Sequence, residues 1–245
     1  MTVIMHRLTR LAIGRRLAAC ALIAVTIPTL AGADVVVLPA IRDNTLFQDA
    51  TGGTSNGAGP VLFAGNNGQN LARRALLAFD LSGQVPAGAR IDNVELRVQV
   101  SNVPNTTPRQ FTLHRVLQEW GEGTSYATGG TGAPATAGDA TWLHTFFPSL
   151  AWGVIGGDFA APASASISIG DVGSYAWSDP AMTADVQVWL DQPGANYGWL
   201  VHGEETGPNT ARRFDSRENT LVANRPTLTV HYTQRTTSVG ERVTV

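Results

Sequence analysis

The sequence predicts an all-β protein, a jelly-roll-like antiparallel β-sandwich with one short helix. Three observations lead there. Apolar and polar residues alternate with period two in several short runs; clusters of Gly, Pro, Asn, Ser and Thr separate those runs; and only one segment keeps helical spacing. Successive side chains of a strand point to opposite faces, so a strand half in a core and half in water alternates in this way.

The clearest strand is Asp92–Val100, where Val94, Leu96, Val98 and Val100 face one way and Asn93, Glu95, Arg97 and Gln99 the other. Near the end, Leu228, Val230 and Tyr232 alternate with Thr227, Thr229 and His231, and Ala165, Ile167 and Ile169 alternate with serines. Further strands are expected at Val35–Leu38, Leu62–Ala64, Arg74–Phe79, Phe111–Leu117, Thr141–Phe146 and Trp199–His202. The helix is expected after Ser178-Asp179-Pro180, which supply a cap and a first-turn proline. Met182, Val186 and Trp189 or Leu190 then recur at helical spacing until Asp191-Gln192-Pro193-Gly194 ends the run. Such a helix covers an open end or edge of the sandwich. Ala50–Pro60 and Thr124–Gly138 read as loops with little regular structure, ligand-bearing or passive.

The N-terminus has a different character. Arg7, Arg10, Arg15 and Arg16 precede an apolar run from Leu17 to Leu30 and then Ala31-Gly32-Ala33, with no acid before Asp34. That order is a secretory signal peptide over residues 1–33, cleaved after Ala33. An uncleaved anchor is the alternative, but the apolar run is short for a membrane span and Pro28 interrupts it. A single domain follows over residues 34–234, and 235–245 form a disordered C-terminal tail without apolar alternation. Cleavage removes Cys20, the only cysteine, which excludes disulfides, a thiol nucleophile and a cysteine metal cluster. It also leaves 13 arginines and no lysine against 19 acids, a formal charge of about −6. That balance argues against nucleic acid as a partner, and no membrane segment remains. The expected location is secreted or periplasmic.

Motifs for chemistry are sparse. Gly53-Thr54-Ser55-Asn56-Gly57 matches the nucleophile pattern of serine hydrolases, but that pattern has meaning only on a sharp strand-to-helix turn, and no helix follows. His114, His144, His202 and His231 lie at no zinc-ligand spacing. His202-Gly203-Glu204-Glu205 places a histidine and two acids at one strand end. Acids such as Asp43, Asp49, Glu119, Glu122, Asp139, Asp158, Glu204, Glu205, Asp215 and Glu218 are candidates for a carboxylate pair that the sequence cannot match up. A structural calcium ion would suit acids and loop carbonyls in an exported sandwich, but no loop carries a recognised calcium motif, so the metal ligands stay unassigned. Of the six tryptophans, Trp142, Trp152 and Trp177 adjoin Gly-, Ser- and Asp-rich segments. They are therefore the candidates for stacking on a sugar, with core packing as the alternative.

The run Arg73-Arg74-Ala75-Leu76-Leu77-Ala78-Phe79-Asp80-Leu81, then Val85-Pro86-Ala87-Gly88-Ala89 and the strand Ile91–Val100, resembles the opening of DNRLRE-domain proteins. His114-Arg115-Val116 through Trp120-Gly121-Glu122-Gly123 and Gly138-Asp139-Ala140-Thr141-Trp142 fit the same pattern. So do Arg213-Phe214-Asp215-Ser216-Arg217-Glu218 and Arg225-Pro226-Thr227-Leu228-Thr229-Val230. The resemblance spans about Asp43 to Thr233. It implies a secreted or surface β-sandwich, related to disaggregatase repeats and similar to modules that bind acidic polysaccharides such as alginate. The partner it implies is a polysaccharide or a cell-surface or matrix component, held by basic residues. Arg73, Arg212, Arg213 and Arg217 are the candidates here, with salt bridges to neighbouring acids as the alternative. The reading that follows is a non-catalytic carbohydrate-binding or surface-assembly domain. A polysaccharide lyase or hydrolase using His and carboxylate or Tyr175, and a purely structural surface protein, are the alternatives.

Overall fold

The computed structural model describes residues 32–235. The expected signal peptide therefore lies outside the described residues except for its last two positions, and so does the tail beyond Arg235. The strands are β1 (Ala33–Phe47), β2 (Thr54–Ser55), β3 (Val61–Asn66), β4 (Ala72–Phe79), β5 (Arg90–Asn102), β6 (Arg109–Arg115) and β7 (Ala133–Pro134). They continue with β8 (His144–Phe146), β9 (Leu150–Ala151), β10 (Ala165–Ile169), β11 (Gly173–Trp177), the helix α1 (Pro180–Asp191), β12 (Trp199–Gly203), β13 (Arg212–Asp215) and β14 (Thr227–Thr233).

All pairings are antiparallel, and they make two faces of a sandwich. One face runs from the first half of β1 through β14 and β5 to β11, β13 and β3. The other runs from the second half of β1 through β4, β12 and β6 to β10. Two strands change faces. Ala33–Pro39 of β1 pair with β14 while Ala40–Phe47 pair with β4, and the last two residues of β3 pair with β4. These crossings close six strands into a barrel-like ring, which removes free edges there.

The alternation read from the sequence builds the space between the faces. Val94, Leu96, Val98 and Val100 of β5 are buried with Leu228 and Val230 of β14 and Phe111 and Leu113 of β6, whereas Asn93 and Glu95 are exposed. The helix begins as expected: the Asp179 carboxylate accepts a hydrogen bond from Ala181 N at 2.8 Å, satisfying one of the N–H groups left free in a first turn. Met182, Val186 and Trp189 are its buried residues, and it packs on β5. Trp189 lies 4.4 Å, ring to ring, from Trp199 of β12.

A second apolar cluster lies on the other side of β4 and β12. Leu46, Leu76, Ala78 and Leu200 point that way and are covered by Val116, Trp120, Trp142 and Trp152 from the excursion between β6 and β10. This explains why Ala75–Phe79 of β4 read as a continuous apolar run: both faces of the strand are buried there.

Three expectations change. The strand expected over Phe111–Leu117 ends at Arg115, and Val116 forms an isolated bridge with Phe159. Of Thr141–Phe146 only His144–Phe146 is strand, because the Thr141 hydroxyl accepts from the backbone N–H of Leu143 and His144 and makes a turn. The two low-complexity loops are ordered and fastened to each other. β2 pairs with β7, Ala135 N donates to Gly53 O at 2.9 Å, and Ala127 N donates to the Asn56 side chain at 2.6 Å. Gly57 lets the first loop lie against the chain just before the second, since a Cβ there would be 1.7 Å from Glu122 O.

Candidate functional site

The four arginines singled out from the sequence have three different fates. Arg212 is fully buried, and its guanidinium donates to the carbonyls of Thr210, Thr107 and Ile169. It ties loops together at the end of β13 and is closed to any ligand, so the expected binding role is corrected. The cause is its position on β13, a strand that its polar sequence hides.

Arg217 belongs to an ionic cluster. Its Nη1 lies 3.1 Å from both Glu122 oxygens and 2.5 Å from Glu218 Oε1, and its backbone N–H donates to the buried Asp43 at 2.7 Å. Oxygens of Asp43, Glu122 and Glu218 lie within 4.8 Å of one another, which makes them the oxygen-donor set for a cation among the described residues. Arg217 already supplies positive charge to that set. Burial, then repulsion from Glu218, pushes the Asp43 carboxyl well above the ordinary carboxylate range. The salt-bridge alternative therefore describes Arg217.

Arg73 and Arg213 share one small groove. They line it with Phe63, Asn66, Asn67, Asn102 and Asn209, and its volume is about 190 Å³. β3, β4 and β13 set the spacing, because Arg213 stands opposite Phe63 in the ladder and Arg73 opposite Gly65. Arg73 is 7% exposed, stacks 4.9 Å above the Phe47 ring, and donates to the carbonyls of Ala72, Leu71 and Gly130 at 2.9, 3.3 and 3.5 Å. Burial lowers its pKa from the usual arginine value. Arg213 is half-buried and donates to Ser101 Oγ and Ser101 O at 3.1 and 3.2 Å. Neither guanidinium is ion-paired among the described residues. Asn66 is held from behind the groove by its amide nitrogen, which donates to Asn70 Oδ1, Glu205 O and Gly207 O, and its Oδ1 is buried out of reach of the groove. Two uncompensated cations, a row of side-chain amides and one phenyl ring suit a polar, anionic ligand with hydroxyl groups.

The tryptophan expectations are corrected. Trp177 is fully buried in the main core and donates to Phe111 O, and Trp152 is buried in the second core and donates to Thr141 O. Neither offers a face to a sugar. Trp142 is 8% exposed; Arg74 covers it at 4.7 Å, and it contributes to a cleft of about 630 Å³ with Gln48, Asp49 and Leu71. The glycine-rich surroundings that suggested exposure belong to the ordered excursion that packs these indoles on β4.

The remaining polar residues are held in fixed contacts. Ser55 is buried and donates to Ala140 O at 2.9 Å, so the serine-hydrolase pattern is a structural serine. His114 and His202 lie 5.9 Å apart, ring to ring, on the outer side of β6 and β12. His202 Nε2 is 3.4 Å from Glu205, which also receives two hydrogen bonds from Arg74 at 2.8 and 2.9 Å. The ring nitrogens of His114 contact Thr112 Oγ1 and Ala160 O, and burial lowers its pKa. His202 does stand beside an acid, but Arg74 holds that acid bidentately. None of His114, His144 and His202 lines the nearby Trp142 cleft. Compared with known proteins, the chain matches no protein-family model and no curated sequence.

Proposed function

We propose that this chain is an exported, non-catalytic member of the DNRLRE-domain group that binds an acidic polysaccharide of a cell surface or matrix. The observation that carries the reading is the groove in which Arg73 and Arg213 converge without carboxylate partners, beside the side-chain amides of Asn67, Asn102 and Asn209. Guanidinium groups match carboxylates geometrically, and the amides suit sugar hydroxyls. The groove is smaller than the ~300–1,000 Å³ of pockets that enclose a drug-sized ligand. It suits one unit of a polymer lying across the surface. The net negative charge of the domain makes this local pair of arginines decisive for an anionic chain.

The test is retention of the chain from Asp34 onward on alginate, polygalacturonate and a neutral glucan. Retention on an acidic polymer is expected, weakening as salt rises. Arg213→Gln should lower affinity by roughly tenfold, the loss of one charge-assisted hydrogen bond. Absence of retention on all three polymers, or equal retention of the variant, would overturn the reading.

A further inference from the structure

The chain carries two Asn-Gly pairs, Asn56-Gly57 and Asn67-Gly68. Asparagine is among the thermolabile residues. Its side-chain amide carbon lies close to the backbone nitrogen of the next residue, and a glycine there, lacking Cβ, leaves the approach open. The fold treats the two pairs differently.

Asn56-Gly57 is enclosed, with both residues buried. The Asn56 side chain accepts from Ala127 N at 2.6 Å and donates to Val61 O at 2.9 Å, and Gly57 N donates to Ser125 Oγ at 3.1 Å. The amide is fixed at both ends and the neighbouring nitrogen is engaged, so ring closure has no free nucleophile and no room.

Asn67-Gly68 lies in the turn between β3 and β4. Gly68 is exposed, and its N–H donates to no acceptor among the described residues. Asn67 Oδ1 accepts from Gln69 N and from Leu71 N, both at 2.9 Å. Attack on Asn67 Cγ would move negative charge onto that same oxygen, and backbone donors at roughly 2.7–3.1 Å are what a developing oxyanion needs. The turn holds them there beforehand, because Asn67 N donates to Leu71 O at 3.0 Å and Asn70 N to Asn67 O at 3.1 Å. A free nucleophile, an open approach and two preset donors therefore meet at one asparagine.

We propose that Asn67-Gly68 is a site of spontaneous deamidation whose product puts a carboxylate into the arginine groove. Gly68 N gives its proton to solvent base and bonds to Asn67 Cγ. The Cγ–Nδ2 bond then breaks, and the nitrogen leaves as ammonia with a proton taken from water. Water opens the resulting cyclic imide at either carbonyl, leaving aspartate or isoaspartate at position 67. Asn67 and Gly68 line the groove with Arg73 and Arg213, and no acid lines it. The new carboxylate competes with an acidic polymer for those guanidinium groups, a consequence that rests on the function proposed for the groove.

The experiment is timed incubation of the chain from Asp34 onward at mildly alkaline pH, followed by a short tryptic digest. Asn56 and Asn67 fall in one peptide, between Arg42 and Arg73, so tandem mass spectrometry compares them in the same sample. Asn67 should convert at least roughly tenfold faster than Asn56 in the folded chain, and the two at similar rates in urea. In Gly68→Ala the added Cβ meets only the end of the Asn209 side chain, at 3.2 Å. That variant keeps the turn and should slow conversion by roughly tenfold. Equal rates at the two asparagines in the folded chain, or an unchanged rate in Gly68→Ala, would overturn the assignment. A preference for Asn67 that persists in urea would overturn the role of the fold.

Asn67→Asp can accept the same two N–H groups, and should weaken retention on alginate by roughly threefold to tenfold, the worth of one or two part-exposed ion pairs. Retention equal to that of wild type would overturn the effect on binding. Wild type retained on no acidic polymer would overturn the function proposed for the groove and this consequence with it; conversion at Asn67 is read independently of both.

Discussion

The pairing of Arg74 with Glu205 joins the end of β12 to the middle of β4, and its strength can be worked from the structure. Two guanidinium hydrogen bonds of 2.8 and 2.9 Å meet one carboxylate whose side chain is 21% exposed. Burial alone would push the Glu205 carboxyl up, but the hydrogen bonds and charge of Arg74, with those of His202, outweigh it. They hold it down at about 2, from an ordinary 4.5. At about 1.4 kcal/mol per pKa unit, that difference favours the folded state by roughly 3 kcal/mol once the group is ionised. A carboxyl depressed in the folded state stabilises fully above its unfolded pKa and loses that contribution as pH falls through the folded one. Glu205→Gln should therefore destabilise the chain by about 3 kcal/mol at near-neutral pH, measured by urea unfolding. The gap to wild type should start to narrow below 4.5 and be mostly gone near pH 2. Comparing the two proteins at each pH cancels the titration of all other acids. In an Arg74→Met background the same substitution should cost little, because the partner is already gone. A gap under about 1 kcal/mol at neutral pH, the median of exposed pairs, would refute the reasoning, as would a gap that does not change with pH.

Other outcomes follow from particular contacts. Asp43→Asn replaces a buried carboxyl whose pKa is raised, by burial first and Glu218 second, from 3.8. Such a group favours the folded state fully below 3.8 and loses that contribution as pH rises through its folded value. The variant should thus match wild type in acid and gain on it toward neutral pH, in the same urea assay. Gly57→Ala places a methyl 1.7 Å from Glu122 O, so the loop from Ala50 to Pro60 must move away from the segment at Glu122. A loss of about 2 kcal/mol or more, with faster proteolysis at the loop from Ala50 to Pro60, is expected, and an unchanged midpoint would contradict the close approach.

How much was legible depended on whether a residue's environment was written in its own neighbours. Strands β5, β10 and β14 and the helix α1 were legible because one face met the core and the other met water, and a capping Asp179 marked the helix start. Strand β13 was hidden because Arg212 and Arg213 give it no apolar alternation, although Arg212 is among the most buried side chains of the chain. The loop from Ala50 to Pro60 and that from Thr124 to Gly138 looked unstructured because their order comes from partners about 70–85 residues away, such as Asn56 with Ala127 and Ser55 with Ala140.

The sequence by itself determined the class of fold, since period-two patterning and turn chemistry are local properties of the chain. It also narrowed the basic candidates to four arginines. Only the tertiary structure decided among them, because a guanidinium acts according to what surrounds it. Arg212 is enclosed with no exposed surface, carboxylates occupy Arg217, and the ladder of β3, β4 and β13 brings a largely buried Arg73 and a half-buried Arg213 to one groove without acids. Trp189 shows the same division: helical spacing placed it in the core, and only the fold decided that its ring packs on Trp199 of β12.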